Sequence, residues 1–488
     1  MADVGSNLIH RKLLIPDGVT YRGERIDAES EVVASADNWF RPVQMCLGPD
    51  GAIYVADMYR EVIEHPLSLP PEIKRQLDLT SGNDRGRIYR LAPASYKYSP
   101  PTLLGDATNA ELVRELEHTN QWRRTTAARL LYERQDASSL TLLTEHLANT
   151  DNPVAKLSLL YALEGLGALE ESHLKMALAD RHPQVRRHAI RLAESRLDKS
   201  ATLFRAARQL ATDPELLVRF QLALSLGAST DPQVADTLAQ LALSNTDHDV
   251  IAATLISAHS CAGSYLKQVV IDGGWRNSPT GELVVGALIS QIKQQQQPED
   301  IAELVELLDS QDIADLRSPA VATTIAVGAI ENQSNTPSAL ARAWRESLAH
   351  ALPLAQQTLS KANASAAERV TAVKLLALAD LGVTKPTLIA NLAVADNPEL
   401  ANVIVAALGQ RDSPQVAEIV LAAWEQMDPA VQESAADLLC TRGEWARTLL
   451  TACEQQQLEF TTLPTTCTTA LCNFPEEQVR QRARDLRG

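Results

Sequence analysis

Seven polar residues in one loop of this sequence have the types that chemistry uses: Asp57, Arg60, Glu61, His65, Asp84, Arg85 and Arg87. Arginine offers a planar fork that holds carboxylates by two parallel hydrogen bonds, so this set is the candidate cofactor-binding group. His65 has an imidazole that titrates near working pH and can act as a general base. The same residues have a purely structural reading. Asp84-Arg85-Gly86-Arg87 can cap a turn, and Arg60–Glu61 can be a surface ion pair worth about 0–1 kcal/mol. The residue types leave both readings open.

Two short strands must position this loop. Gly48-Pro49-Asp50-Gly51 is a turn sequence, because Pro fixes φ at the second position and Asp-Gly tolerates a tight reversal. Ile53 and Val55 then alternate with Ala52, Tyr54 and Ala56 at the period of a strand. Gly86 opens a second run, with Ile88 and Leu91 apolar and Arg87 and Arg90 charged. Between Ala56 and Gly86 lie 29 residues, with Pro66, Pro70, Pro71 and many charges. Structureless connections beyond about 12–15 residues are unusual unless they work or are disordered.

GPDGAIYVADMYREVIEHP and SGNDRGRIYRL, with NLIHRKLL and DNWFRPV upstream, carry a resemblance over residues 7–93. The stretch resembles the closing blade of the large planctomycete-type membrane-bound dehydrogenases, whose propeller is similar to the glucose/sorbosone dehydrogenases. The resemblance implies a quinone-dependent propeller, then HEAT-like repeats, then a c-type haem domain. For the intact architecture it implies pyrroloquinoline quinone, Ca²⁺ and haem c, with none of them expected in this chain. A propeller has typically 4–8 four-stranded blades, and residues 1–93 hold at most two. The chain is therefore expected to be a gene fragment or one product of a split gene. In the relatives the general-base His and most cofactor ligands lie in earlier blades, so no catalytic residue carries over.

Composition narrows the classes. With 45 basic and 61 acidic residues the net charge is −16, which argues against a nucleic-acid partner and an anionic membrane surface. No run approaches the 18 apolar residues of a membrane span, and MADVGSNLIHRKLLIPDG lacks the apolar core of a secretory signal. Taken alone the chain reads as soluble and retained where it is made, whereas the resemblance implies the periplasm or cell envelope. Six scattered cysteines, at 46, 261, 440, 453, 467 and 472, form no disulfide framework. Cys467 and Cys472 are the one close pair, no C-x-x-C-H haem signature follows, and no zinc ligand set stands nearby. They read as small buried residues of helices.

Before residue 100 the pattern is mixed. Asp17-Gly18 reads as a turn, with short strands around Val19–Tyr21 and Glu31–Ala34. Eight of the 20 aromatics fall in the first 100 residues, which suits a β segment giving way to an Ala/Leu-rich helical one. Pro93, Pro100 and Pro101 mark the connector. The expected organisation is a partial propeller segment over 1–93, a linker over 94–109 and a HEAT-like array over 110–488.

From Ala110 onward helix starts recur every 30–34 residues, at Asn120, Asn152, His182, Asp213 and Asp247. A polar cap followed by Pro in the first turn is a helix-start signature. Second helices such as SLTLLTEHLANT and SATLFRAARQLAT lie between. One such pair leaves an apolar side uncovered, so neighbours must stack to bury it. Gly273-Gly274-Trp275 and the Gln294–Gln297 run interrupt the array, with the glutamines expected at an exposed helix end or in a loop. Starts resume at Ser318, Asp396, Asp412 and Asp428, and a closing helix pair is expected after Gly443. Arg186 and Arg219 follow Val at one repeat position, where an Arg pairs with the acid opening the next unit or lines a binding ridge. His182 and His188 are six apart, which is not metal-ligand spacing on a helix, and read as surface residues.

The fold class is thus mainly α, a HEAT-like α-solenoid preceded by a small β segment resembling the last blades of a β-propeller. Two functions follow as expectations. One is a protein-interaction scaffold, with a protein partner on the solenoid surface and no catalysis by this chain alone. The alternative is a quinone-dependent sugar or aldose dehydrogenase passing electrons to a c-type haem.

Overall fold

The computed structural model describes residues 1–98, 100–276, 278–295, 297–309, 352–353, 355–361, 364, 366–393 and 398–487. The chain is mainly α and divides into two compact bodies. The first holds residues 1–230 with 247–253, and the second holds 231–246 with 254–488.

The first body begins with β structure. Strands β1 (Ala2–Asp3), β2 (Leu8–Ile9) and β5 (Val33–Ala34) form one small antiparallel sheet, and β3 (Lys12–Asp17) and β4 (Thr20–Arg25) form a hairpin. The hairpin turns at Gly18, whose φ of +58 is the left-handed conformation that Asp-Gly signals. The strand expected near Val19–Tyr21 runs on to Arg25, and the one expected over Glu31–Ala34 shrinks to two residues. The two strands read around the loop are β7 (Ile53–Asp57) and β8 (Arg87–Leu91), and they pair with each other. Ile53 faces Leu91 and Asp57 faces Arg87 in an antiparallel ladder. With β6 (Pro42–Leu47) they make a three-stranded meander in the order β6-β7-β8. Gly48-Pro49-Asp50-Gly51 joins β6 to β7, closed by the Gly51 amide donating to the Gly48 carbonyl at 3.1 Å, with Gly51 at φ +85.

Helical repeats follow: α2 (Asn109–Glu115), α3 (Gln121–Arg134), α4 (Ser138–Asn149), α5 (Pro153–Gly165), α6 (Glu171–Leu178), α7 (Pro183–Ala193), α8 (Ala201–Arg208) and α9 (Leu216–Ser225), while α1 (Pro71–Lys74) is a single turn inside the loop. Local chemistry starts them where the sequence says. Asn120, Asn152 and His182 each accept a first-turn amide of α3, α5 and α7 with their side chains, a contribution of about 1 kcal/mol per cap for such polar residues. Helix α9 is capped by Glu215 rather than by Asp213, whose side chain accepts the Glu215 amide at 3.0 Å just ahead of the helix.

One cation recurs four residues after the cap position of these helices (Asn120, His182 and Glu215) and ties the units together. Arg124, Arg186 and Arg219 each reach back to the two carbonyls just before the helix: His118 and Thr119, Asp180 and Arg181, Asp213 and Pro214. Arg186 also binds Asp213 of the next unit, and Lys156 binds Asp180 at 2.5 Å. Structural pairing, rather than a binding ridge, is therefore the role of Arg186. His182 serves as a cap and His188 bonds Tyr161, both half-buried.

The second body repeats the logic. Its core gathers Leu375, Leu388, Ile404, Val420, Leu439, Trp445, Leu449 and Leu471 among others. Arg447 bonds both oxygens of Glu476 (2.7 and 2.6 Å), and Arg480 reaches the Phe474 and Pro475 carbonyls. Gly273-Gly274-Trp275 forms a short helix, Gly273–Arg276, rather than a break, and Gln294 and Gln295 end the helix Pro279–Gln295. The expected closing pair is three helices, Gly443–Glu454, Thr465–Cys472 and Glu477–Arg487. The intermediate helix escaped the sequence reading because its Thr-rich run has little apolar periodicity. The start at Ser318 and the Asp396 cap lie outside the described residues. No described helix is long and apolar enough to cross a membrane.

Candidate functional site

Strand β7 delivers Asp57 to the base of the loop. It is 3% exposed, and its Oδ1 accepts the amides of Arg41 (2.7 Å) and Tyr59 (2.9 Å). Its Oδ2 is buried with no hydrogen-bond partner among the described residues. Arg60 donates its amide to the Trp39 carbonyl at 3.1 Å and its Nη1 to the Thr80 carbonyl at 2.7 Å, so it closes the loop across its mouth. Tyr59 sits at φ +50, and Gly82 packs on it so tightly that a Cβ there would lie 2.3 Å from the Tyr59 carbonyl oxygen. Only glycine fits at 82.

Arg87 lies over the Tyr59 ring, its Cζ 3.6 Å from the centroid, and bonds the Tyr89 hydroxyl at 3.2 Å. The tyrosine hydroxyls hold its guanidinium pKa above the ordinary value, Tyr89 foremost. His65 begins a turn of 3-10 helix at Pro66–Ser68, its Nδ1 accepting the Leu67 amide at 3.2 Å. Asp84 and Arg85 make an exposed pair at 3.6 Å, and the Glu61 side chain is exposed.

The structure therefore sets Asp57 opposite Arg87 and puts Arg60 across the loop. His65 stands apart on its own turn, with no ion pair or hydrogen bond to another candidate among the described residues. One guanidinium nitrogen each of Arg60 and Arg87 is bonded nearby, to the Thr80 carbonyl and the Tyr89 hydroxyl. Among the described residues no group of three or more His, Cys, Asp or Glu side chains could hold a metal ion.

Two groups that matter here were not singled out from the sequence. Arg41 spends its guanidinium on three carbonyls, those of Arg60 (3.0 Å), Val4 (3.0 Å) and Glu61 (2.9 Å), and so pins the start of the loop to the first strands. Asp50, in the turn, accepts the hydroxyls of Tyr54 and Tyr96 at 2.8 Å each and lies 3.6 Å from Arg90. Burial pushes its carboxyl up, but the bonds from Tyr96, Tyr54 and the Ala52 amide outweigh that and hold it below the usual range. The local signals were Tyr54, four residues after Asp50, and Arg90 with Tyr96 six residues further on, which no spacing rule connects to the turn.

A hollow of about 280 Å³ lies among α4, α5, α6 and α7, lined by Thr150, Asp151, Lys156, Met176 and Asp180. It is slightly smaller than ordinary ligand pockets, and its lysine is already paired with Asp180.

Comparison with known proteins gives two family matches. Residues 1–95 match a domain of unknown function (DUF7133), and residues 171–258 match HEAT repeats. No curated protein matches the chain. Among solved structures 26 chains match. One belongs to a homology model of the full-length AP-3 complex in an intermediate open conformation, 13% identical, covering 78% of this chain and 92% of that one at a TM-score of 0.26. At that score the likeness bears on neither the fold nor the function.

Proposed function

We propose that this protein is an interaction scaffold, a stack of helix pairs whose exposed faces bind a protein partner. The observation that carries the reading is the HEAT-repeat match over residues 171–258, joined to the cation-to-acid links that fix each unit on the next. Repeat arrays of this kind present extended surfaces for binding.

The finer part of the proposal places the chain in a larger dehydrogenase-like, cytochrome-linked protein, as its C-terminal part. Its support is the resemblance of residues 7–93. Pyrroloquinoline quinone, Ca²⁺ and haem c would then be held by other parts of that assembly. Purified chain supplied with pyrroloquinoline quinone, Ca²⁺, glucose and an electron-accepting dye is expected to show no turnover. Sugar oxidation under those conditions would overturn the scaffold reading in favour of a quinone-dependent dehydrogenase.

A further inference from the structure

Helices α3, α5, α7 and α9 lie side by side in the first body. Tyr132 of α3 is 58% exposed and rests against Gly165 of α5, where a Cβ would come 3.1 Å from its ring. Tyr161 of α5, 40% exposed, shares a hydrogen bond between its hydroxyl and Nδ1 of His188 on α7 at 2.8 Å, the two rings meeting edge to face with centroids 5.6 Å apart. Three neighbouring helices thus share one ridge of open aromatic surface.

On α7 this ridge is flanked by Arg187 and Arg191, one turn apart and on the same face as His188. Neither side chain makes an ion pair or hydrogen bond among the described residues. On the neighbouring helices, Glu164 of α5 binds Arg196 at 2.9 Å and Glu133 of α3 binds Arg129 at 3.0 Å. Burial, helped by Arg187 and Arg191, pushes the His188 pKa down, so it adds no third charge at neutral pH. Two like charges one turn apart weaken a helix, a cost to the fold that an incoming carboxylate would remove. From Arg181 to Arg208 the sequence has eight basic and two acidic residues, in a chain of net charge −16. That stretch is locally basic in an acidic chain, and on this face it contributes Arg187 and Arg191.

We infer that the face built from Tyr132, Tyr161, His188, Arg187 and Arg191 docks an acidic segment of the partner protein. Arg187 and Arg191 grip its Asp or Glu side chains as forks, and an apolar or aromatic side chain of the segment lies on the two tyrosines. Tyr and Arg are the residues that most often dominate binding energy at protein interfaces. The inference rests on the scaffold reading and names where on the array the partner sits.

The test uses the full chain and three fluorescent probes: a Glu/Leu peptide with one Trp, its Lys/Leu counterpart, and a single-stranded oligonucleotide. Anisotropy is expected to show binding of the acidic peptide alone, weakened tenfold or more by R187E/R191E and less by R191E, which alters only the exposed position. R205E/R208E on α8 makes the same charge change elsewhere and is expected to leave affinity within about twofold, the level of a rim charge. Equal affinity of wild type and R187E/R191E, absence of peptide binding, or preference for the oligonucleotide would overturn the inference. Capture from a cell lysate separates the two levels of the argument. Identical proteins recovered by wild type and R187E/R191E would discard this face and leave the scaffold, while none recovered by either would discard both.

Discussion

Arg186 meets Asp213 in two parallel hydrogen bonds, Nε to Oδ2 at 2.6 Å and Nη2 to Oδ1 at 2.8 Å, with the two side chains 12% and 3% exposed. The third guanidinium nitrogen bonds the Asp180 and Arg181 carbonyls. One side chain thereby fixes its own helix start and the start of the next unit.

Removing one partner of such a pair leaves a buried charge unmatched. R186A is expected to cost about 3–5 kcal/mol, and R186K nearly as much because lysine cannot form the fork. Urea unfolding followed by circular dichroism measures this. A loss below about 1 kcal/mol, the value of an exposed pair, would mean the link is not structural.

Asn120 joins the β part to the first repeats by a divided use of its amide. Oδ1 accepts the Trp122 amide at 2.8 Å, and Nδ2 donates to the Gly48 and Pro49 carbonyls at 3.0 and 3.1 Å. N120D keeps the cap and loses the donors, so hydrogen exchange is expected to rise in β6 and β7 and stay unchanged in α3. N120A is expected to raise both, losing about 1 kcal/mol from the cap. Equal protection of β6 and β7 in all three proteins would show that the turn does not depend on Asn120.

Glu171 sets a pH limit on the α6–α8 contact. Its carboxyl is lowered from 4.5 to about 2, first by the Lys175 bond and then by the Thr202 and Ser200 hydroxyls. A depressed carboxyl stabilises the fold above its unfolded value and loses that contribution as pH falls. The window is therefore from about pH 4.5 down to about pH 2. E171Q is expected to melt below wild type at pH 7 and to converge with it towards pH 2. Parallel melting curves throughout would exclude Glu171 as the group responsible.

The thiols are expected to react in a definite order. Cys46 is exposed on β6 and should be alkylated first at pH 8 in the folded protein. Burial pushes Cys261 up to about 12 and Cys453 up to about 11, and the Cys440 sulfur 2.8 Å away, then burial, push Cys467 up as well. Because the thiolate is the nucleophile, these three should stay unmodified until the protein unfolds. Peptide mapping after timed alkylation reads the order, and uniform labelling would contradict it.

What the sequence determined by itself was local. Asn152-Pro153, His182-Pro183 and Asp428-Pro429 start helices because a cap and its first-turn amides lie within three residues of each other. Gly48-Pro49-Asp50-Gly51 turns for the same reason, and the period of apolar residues marks which side of each helix is buried. Tertiary structure alone decided the pairings across 27 to 72 residues: Arg186 with Asp213, Cys440 with Cys467, Asn120 with Gly48. It also decided that Arg60 and Arg87 serve their own loop, bonding Thr80 and stacking on Tyr59. A residue type states what a side chain can bond, but many arginines and acids satisfy the same rule. Only the stacking of one unit on the next, driven by apolar faces that a single pair cannot cover, selects which of them meet.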